Sequence, residues 1–327
     1  MKNKNYPTKT AIRKMIKIVP IAFPNWTIGD VRKMLFSQIK KIDTINYIYV
    51  IDKNKRLVGV FSIKEVFRRN DNAKVGLLMD KDVVSVRPYT DQERIAILSL
   101  KNNLKAIPVI DKNEKFLGVV PSDSILNILH SENVEDFLRM AGIRSSFQKI
   151  SEGSSFYLTK VRIPWLIFGL FGGILAAKIT TFFETPLRDY FILTSFIPLM
   201  LYLSSATGTQ TETLFIRSLA INDKPDFPKY LSREITSGFM MAVILGCLLF
   251  LISIFGFGAS LVIGIILASS LLLTVMMAVL IGLFIPFLLY KLKKDPAVGT
   301  GPFATILRDI LSLIIYFSIS ITLLKVL

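Results

Sequence analysis

Five long apolar segments in the second half of the chain limit its fold more than any other feature of the sequence. They cover residues 163–183, 190–216, 235–255, 261–290 and 302–324. A helix needs about 20 mostly apolar residues to cross the hydrocarbon core of a bilayer, where every backbone polar group must be paired internally. The helices of a soluble bundle are shorter and less continuously apolar. The sequence therefore predicts an all-α domain of five membrane-spanning helices in a lipid bilayer.

Basic residues in the short links predict the orientation of these helices, because cytoplasmic loops retain Lys and Arg. The links after the second and fourth segments are rich in them, whereas the opposite links hold only Arg188. The basic residues are Arg217, Lys224, Lys229, Arg233, Lys291, Lys293 and Lys294. We expect a multi-pass protein of the plasma membrane, with its N-terminus in the cytoplasm and its C-terminus outside.

Polar groups at membrane depth mark an ion pathway or a buried pair. The second segment contains a polar run at residues 204–213, and Asp309 follows Pro302 by seven residues, about 10 Å into the fifth helix at about 1.5 Å per residue. Small or polar residues recur around Asp309 at spacings of four and three, at Gly301, Thr305, Ser312, Tyr316 and Ser320. Such a stripe lines water or a partner helix. Asp309 therefore belongs either to a pore or to an interhelical ion pair, and the adjacent Arg308 points too far away to neutralise it within the same helix.

Several kinds of chemistry are excluded by the residues present. Cys247 and His130 are the only cysteine and histidine, so zinc, haem, iron–sulfur and Cys/His nucleophile sites are absent. No Walker loop and no Ser/His/Asp order is visible, so we do not expect an enzyme. The basic N-terminus is not followed by a short apolar core and a cleavage site, so the first half should stay in the cytoplasm.

The first half contains an internal repeat. Residues 48–67 match residues 107–126 at an offset of 59, and each copy reads as strand, Asp-Lys-Asn turn, strand and helix. Upstream, Thr27 and Thr90 are each expected to cap a helix. Residues 1–150 hold 27 basic and 15 acidic side chains, a net +12. Because no exposed aromatics are interleaved with this charge, we expect attraction to anionic lipid rather than binding of nucleic acid.

The repeat resembles a tandem pair of CBS domains over about residues 10–130. The resemblance implies an α/β regulatory module, which in many members holds an adenine nucleotide between its copies. Many CBS domains place a Ser or Thr three residues, and an Asp six residues, after a glycine of the second strand. After Gly59 these positions hold Ser62 and Glu65, and after Gly118 the nearest acid is Asp123, one residue before the expected position. The alternatives are a nucleotide site and a purely structural pair.

The whole chain resembles the MgtE family of magnesium channels and transporters. The motifs are Arg162-Ile163-Pro164-Trp165-Leu166, Pro198 with Gly208 and Gln210, Arg233-Glu234, Asp295-Pro296-Ala297, Gly301-Pro302 and Asp309. The resemblance implies a multi-domain protein: a tandem CBS module at residues 1–130, a connecting plug-like helix at 131–160 and a five-span ion-conducting domain at 161–327. It also implies a homodimer that transports Mg²⁺, or other divalent cations, down its electrochemical gradient through a pore at the dimer axis.

The resemblance assigns roles to particular residues. Asp309 is the pore carboxylate, with Thr305 and Gly301 beside it on the same helix. The second-span motif corresponds to Pro198, Ala206, Gly208 and Gln210, and other candidate cation contacts are Glu184, Glu234 and Asp295. Gating is assigned to the plug carboxylates Glu132, Glu135 and Asp136, with Mg²⁺ acting as a regulator as well as the substrate.

The sequence also departs from the family pattern. Ser204-Ser205-Ala206 replaces Gly-Gly-Asn. Members of the family usually carry an acidic helical domain before the CBS pair, and we expect this chain to lack it, because its CBS repeat starts close to residue 10. We therefore expect internal Mg²⁺ to slow flux less than in longer relatives. Two other functions stay open: a CBS-regulated transporter of another ion, and a membrane-tethered nucleotide sensor that conducts nothing.

Overall fold

The computed structural model describes residues 7–145, 147–188, 190–221, 226–298 and 301–326. The chain divides into two compact units, residues 1–133 and 134–327. The first unit is α/β, and the second is helical throughout its described residues. The predicted order, an α/β repeat followed by an all-α membrane domain, is confirmed.

The first unit contains two copies of one arrangement. Its elements, the last of which continues into the second unit, are α1 (Ala11–Lys14), β1 (Ile21–Ala22), α2 (Ile28–Gln38), β2 (Tyr47–Ile51), β3 (Leu57–Ser62), α3 (Ile63–Arg68), α4 (Val75–Leu78), α5 (Gln92–Lys101), β4 (Ala106–Ile110), β5 (Phe116–Pro121) and α6 (Ser122–Met140). The sheet order is β1-β2-β3 in the first copy, and β4 pairs with β5 in the second. Val50 faces Gly59 and Val109 faces Gly118, with a register shift at the next residue in both hairpins. The two copies of the predicted repeat therefore share the same strand pairing, including the position of the register shift.

The two Asp-Lys-Asn turns are built identically and pair with each other. Oδ1 of Asp52 accepts hydrogen bonds from the backbone N–H groups of Asn54 and Arg56, both at 2.8 Å. Asp111 accepts the equivalent pair from Asn113 and Lys115 at 2.8 and 2.9 Å. Because the carboxylate satisfies two turn donors, it fixes a turn whose fourth residue, Lys55 or Glu114, adopts φ 63°.

We expect Asp52→Ala and Asp111→Ala each to lower the free energy of unfolding by about 1 kcal/mol, since each removes two exposed hydrogen bonds to the backbone. The two losses should be similar because the turns are equivalent. The measurement is urea unfolding of the full chain in a Trp165→Phe background, where Trp26 reports on the first unit. Asp43→Ala, on an exposed aspartate, is the control and should change nothing.

One helix cap differs from the prediction. Thr27 caps α2 in a reciprocal capping box with Asp30, as expected, and this hydrogen bonding lowers the pKa of Asp30. The cap of α5 is Asp91, whose side chain accepts from the N–H of Glu93, so the prediction of Thr90 is wrong. Thr90 instead accepts from the N–H of Arg87 in the preceding turn. Asp is a stronger N-cap residue than Thr, so the intrinsic preference already favoured Asp91 over Thr90.

The second unit is a bundle of long helices. Its elements after α6 are α7 (Phe147–Ser151), α8 (Ser155–Leu187), α9 (Phe191–Ser195), α10 (Ile197–Ile221), α11 (Phe227–Phe257), α12 (Leu261–Lys291), a 3-10 turn (Pro296–Val298) and α13 (Pro302–Val326). Among the described residues, five segments are long and apolar enough to cross a membrane, in agreement with the predicted spans. The second span differs from the prediction because it is interrupted at Phe196, between α9 and α10.

Candidate functional site

Asp309 lies two turns into α13, half-buried, where α13 packs against α10. Its Oδ1 accepts a hydrogen bond from the hydroxyl of Ser205 at 3.0 Å. Within the part of the chain that the structure describes, no Lys or Arg forms an ion pair with Asp309. Among the described residues of one chain, the interhelical ion pair that the sequence left open as one explanation of Asp309 is therefore not present.

Arg308 has a different partner on α10. Its side chain is fully buried, and Nη1 lies 3.0 Å from Oε2 of Glu212, which is 1% exposed. Nη2 donates to the hydroxyls of Thr209 and Thr305 at 3.3 and 3.2 Å. Adjacent residues of a helix point in different directions, so Arg308 and Asp309 contact different parts of α10. The positive charge beside Asp309 is therefore balanced by Glu212.

Glycines bring the helices close enough for this pair to form. A Cβ on Gly208 would overlap the side chain of Arg308, and a Cβ on Gly282 of α12 would lie 2.7 Å from the carbonyl oxygen of Gly208. Gly301 precedes α13 with φ 73°, and its N–H donates to Oε1 of Glu212 at 3.0 Å. Glu212 therefore holds both the first residue before α13 and a side chain two turns into it.

The rest of the polar stripe on α13 faces the interior of the bundle. Ser312, Tyr316 and Ser320 are all fully buried. The Ser312 hydroxyl bonds to that of Ser204 at 2.8 Å, and the Tyr316 hydroxyl donates to the carbonyl oxygen of Leu193 at 2.6 Å. Of the two environments predicted for the stripe, a partner helix applies to this half, and that partner is the second span of the same chain.

The predicted second-span residues fall into two groups. Gly208 is buried against Arg308, as described above. Pro198 lies exposed at the start of α10, Gln210 is exposed, and Ala206 is half-buried. Sequence reasoning selected Ala206 but not its neighbour Ser205, which contacts Asp309, nor Glu212. Both lie in the polar run that the sequence marked, and an acidic residue within that run was the available signal.

The other candidate acids are dispersed. Glu234 is buried on α11, with Nη2 of Arg233 at 3.8 Å from its carboxylate. Asp295 accepts from the N–H of Ala297 at 2.8 Å and forms an ion pair with Arg139. The side chain of Glu184 lies outside the described residues. Across the ranges described, no hydrogen bond or ion pair joins Glu234 or Asp295 to Asp309.

Two of the plug carboxylates, Glu132 and Glu135, form ion pairs with basic residues. Arg139, near the end of α6, pairs with Glu135 one turn earlier and with Asp295, so it lies between the two carboxylates. Asp136 is half-buried on the same helix. Glu132 lies in the first unit, where it accepts from Nζ of Lys9 at 3.0 Å and from the side chain of Gln92.

The predicted nucleotide residues already have local roles. The Ser62 hydroxyl caps α3 by accepting from the N–H of Lys64 at 3.3 Å. Glu65 accepts from Nε of Arg69 at 2.8 Å, and this hydrogen bond lowers the pKa of its carboxyl. Asp123 accepts from its neighbour Ser122 at 3.3 Å. None of these bonds excludes a ligand, since a hydroxyl or carboxylate oxygen can accept more than one hydrogen bond.

The chemistry available to one chain is limited. Among the described residues, no group of three or more His, Cys, Asp or Glu side chains is placed to hold a metal ion. Asp309 and Ser205 together offer one carboxylate and one hydroxyl. Such a set suits a hard cation that keeps most of its water, as Mg²⁺ does, and not a dehydrated ion in a closed protein cage.

Comparison with known proteins gives consistent results for both units. A family model described as a divalent cation transporter, MgtE, matches residues 197–319, and the CBS domain model matches residues 10–71 and 75–131. The magnesium transporter MgtE of Bacillus subtilis is 34% identical over 319 residues, covering 97% of this chain and 70% of the relative. Those of Enterococcus faecalis and Thermus thermophilus are 32% and 31% identical, with 65% and 66% of their lengths covered. A crystal structure of the cytosolic domain of the Mg²⁺ channel MgtE in complex with ATP is 30% identical, with a TM-score of 0.37, and the match covers 38% of this chain and 50% of that one.

Two CBS domains followed by helices that can cross a bilayer define a multi-pass membrane protein with a CBS module. The chain belongs to the MgtE family. The members found are transporters, and the chain is accordingly not an enzyme.

Proposed function

We propose that this chain transports Mg²⁺ across the plasma membrane, down its electrochemical gradient, through a path at a homodimer axis lined by α13. The observation that carries the proposal is the carboxylate of Asp309, held by Ser205 while the adjacent Arg308 is balanced by Glu212. A carboxylate at membrane depth without a basic partner is costly unless water or a cation reaches it. The magnesium transporters of the same family support Mg²⁺ as the substrate.

A dimer accounts for the small number of ligands in one chain. Two copies of Asp309 facing a shared axis would supply two carboxylates, which offset much of the cost of a divalent charge within the membrane. Thr305 lies on α13 and Gly301 lies just before its first residue. The Thr305 hydroxyl accepts from Arg308, and this nearby positive charge disfavours direct contact with a cation. We therefore propose that the transported cation contacts Asp309 and Ser205 directly.

Flux into proteoliposomes tests the proposal. Purified protein should conduct Mg²⁺ and should not conduct Cl⁻, with Co²⁺, Ni²⁺ and Mn²⁺ as competing ions. The oligomeric state should be a dimer in detergent. Chloride flux would favour the transporter of another ion, and the absence of any flux in a folded dimer would favour the non-conducting sensor.

Regulation follows from the charges near the plug helix. We propose that Arg139, placed between Glu135 and Asp295, supplies a fixed positive charge where free Mg²⁺ would otherwise be attracted. In the first unit, Lys9 contributes to balancing Glu132 in the same way. Internal Mg²⁺ should then inhibit flux weakly.

Arg139→Gln should make the flux more sensitive to internal Mg²⁺, by about threefold or more in half-inhibitory concentration, since two nearby carboxylates then lack this charge. Arg139→Lys, which keeps the charge, is the control. The measurement is Mg²⁺ efflux from liposomes loaded over the millimolar range. Steep inhibition of the wild type that persists unchanged in Arg139→Gln would contradict this role.

Two further assignments remain proposals. The division into residues 1–130, 131–160 and 161–327, with the N-terminal module in the cytoplasm, follows from the family resemblance and the basic links. Binding of an adenine nucleotide to Ser62, Glu65 and Asp123 stays a prediction. Calorimetric titration of the full-length protein with ATP and AMP checks it.

A further inference from the structure

A buried charge pair lies directly beside the proposed cation site. The side chains of Arg308 and Glu212 are 0% and 1% exposed, and their charged atoms are 3.0 Å apart. Arg308 immediately precedes Asp309 in α13. Charges out of contact with water are screened weakly, so Arg308 and its partner Glu212 both contribute to the electrostatic potential at Asp309.

The pair is held rigidly by its surroundings. The stem of Arg308 passes over Gly208, where any side chain would overlap it, and Nη2 is fixed by two threonine hydroxyls. Glu212 also accepts the backbone N–H of Gly301. Nε of Arg308 is buried and has no hydrogen-bond partner among the described residues, so its share of the charge is unscreened by a local acceptor. The two charges are therefore fixed, and neither can turn away when a cation arrives.

A role in holding the two helices together does not by itself explain why these two residues are charged. A buried ion pair costs several kcal/mol of desolvation for each ion, and apolar residues of similar volume join two helices as well or better. One member of the pair, Arg308, is the residue next to Asp309 on α13, and its partner Glu212 lies on the neighbouring helix α10. Without Glu212, Arg308 would cancel the charge of Asp309 as seen by an approaching cation. Without Arg308, two carboxylates on neighbouring helices would attract the cation together.

We infer that the Glu212–Arg308 pair sets the affinity of the Asp309 site for a divalent cation, with Glu212 as the compensating charge and Arg308 as the charge that limits binding. This inference rests on the proposed function. A transport site must bind a cation strongly enough to admit it and weakly enough to release it. The pair maintains that balance because its net charge is zero while its two halves act in opposite directions.

The sign of each effect gives the test. In proteoliposomes, Glu212→Gln should raise the half-saturating Mg²⁺ concentration by about tenfold, because an unbalanced Arg308 repels the cation. Arg308→Gln should lower it by about tenfold and also lower the maximal flux, because release becomes slower. The double variant should return to within about twofold of the wild type, since the charges cancel in both. Loss of a merely structural pair would reduce maximal flux in both single variants and would not tighten Mg²⁺ binding in either.

Variants that keep both charges of the pair provide an independent measurement if a charge-removing variant does not fold. Thr209 is exposed on α10 and contacts Arg308. Thr209→Glu should lower the half-saturating Mg²⁺ concentration by about threefold, whereas the neutral Thr209→Gln should not change it. Arg308→Lys keeps the charge and should stay near the wild-type value.

The outcomes separate this inference from the proposed function. Shifts of half-saturation in the same direction for Glu212→Gln and Arg308→Gln, or no shift in Thr209→Glu, overturn the role of the pair while Mg²⁺ transport by the wild type stands. A folded wild-type dimer that does not conduct Mg²⁺ overturns both. Opposite shifts that cancel in the double variant support the inference.

Discussion

Asp309→Asn is expected to lower Mg²⁺ flux by at least about 100-fold while the protein still folds as a dimer. The substitution keeps the size and most of the hydrogen bonding of the side chain and removes only its negative charge. Two unit charges about 4 Å apart interact by about 4 kcal/mol at the effective dielectric of a partly buried site, and a divalent ion interacts more strongly. The measurement is the initial rate of Mg²⁺ uptake into liposomes containing equal amounts of each protein.

Two variants at the same contact serve as controls. Ser205→Ala removes the hydroxyl that donates to Asp309 and should lower flux only severalfold, because the charge remains. Asp309→Glu keeps the charge and moves it by one methylene, so it should retain measurable flux. Normal conduction by a purified, dimeric Asp309→Asn protein would remove Asp309 from the path.

Glu212→Ala should be the most destabilising single substitution considered for this chain. It leaves the guanidinium of Arg308 buried without its charge partner, and breaking a buried pair in this way costs about 3–5 kcal/mol. The N–H of Gly301 loses an acceptor as well. Denaturant unfolding of the full-length protein in detergent micelles, followed through Trp165, measures the change.

The matched controls distinguish loss of a partner from loss of the pair. Glu212→Leu combined with Arg308→Met removes both charges and should recover most of the stability, because no charge remains unpaired. Glu65→Ala breaks an exposed pair with Arg69 in the first unit and should have no measurable effect. Equal losses in Glu212→Ala and in the double variant would show that helix packing, and not the unpaired charge, is responsible.

Local sequence patterns predicted the elements of this fold well. The five spans follow from continuous apolar length, and the repeat follows from matching residues at one offset, so neither requires knowledge of distant contacts. The interruption at Phe196 was missed because its flanking residues are as apolar as the rest of the span. The cap of α5 was placed one residue early, at Thr90, although the following Asp91 is the stronger capping residue.

The candidate site was predicted in part. Asp309 stands out as a carboxylate within an apolar helix, and helical spacing correctly indicated that Arg308 would pair elsewhere. The identity of its partner depends on which face of α10 meets α13, and the glycines at 208 and 282 decide that contact. Helical periodicity gives the faces of one helix but not their pairing with another, so Glu212 and Ser205 appeared only as members of a polar run.

Helix α13 is hydrogen-bonded to the second span at two positions along its length. Near its start, Gly301 and Arg308 both bond to Glu212, and farther along, Tyr316 bonds to the carbonyl oxygen of Leu193 just before the interruption at Phe196. An axial slide of α13, like that of a piston, would break all three bonds together. Tilting of α13 jointly with the whole second span, α9 as well as α10, preserves them, so we expect the passage to widen by a change in helix inclination.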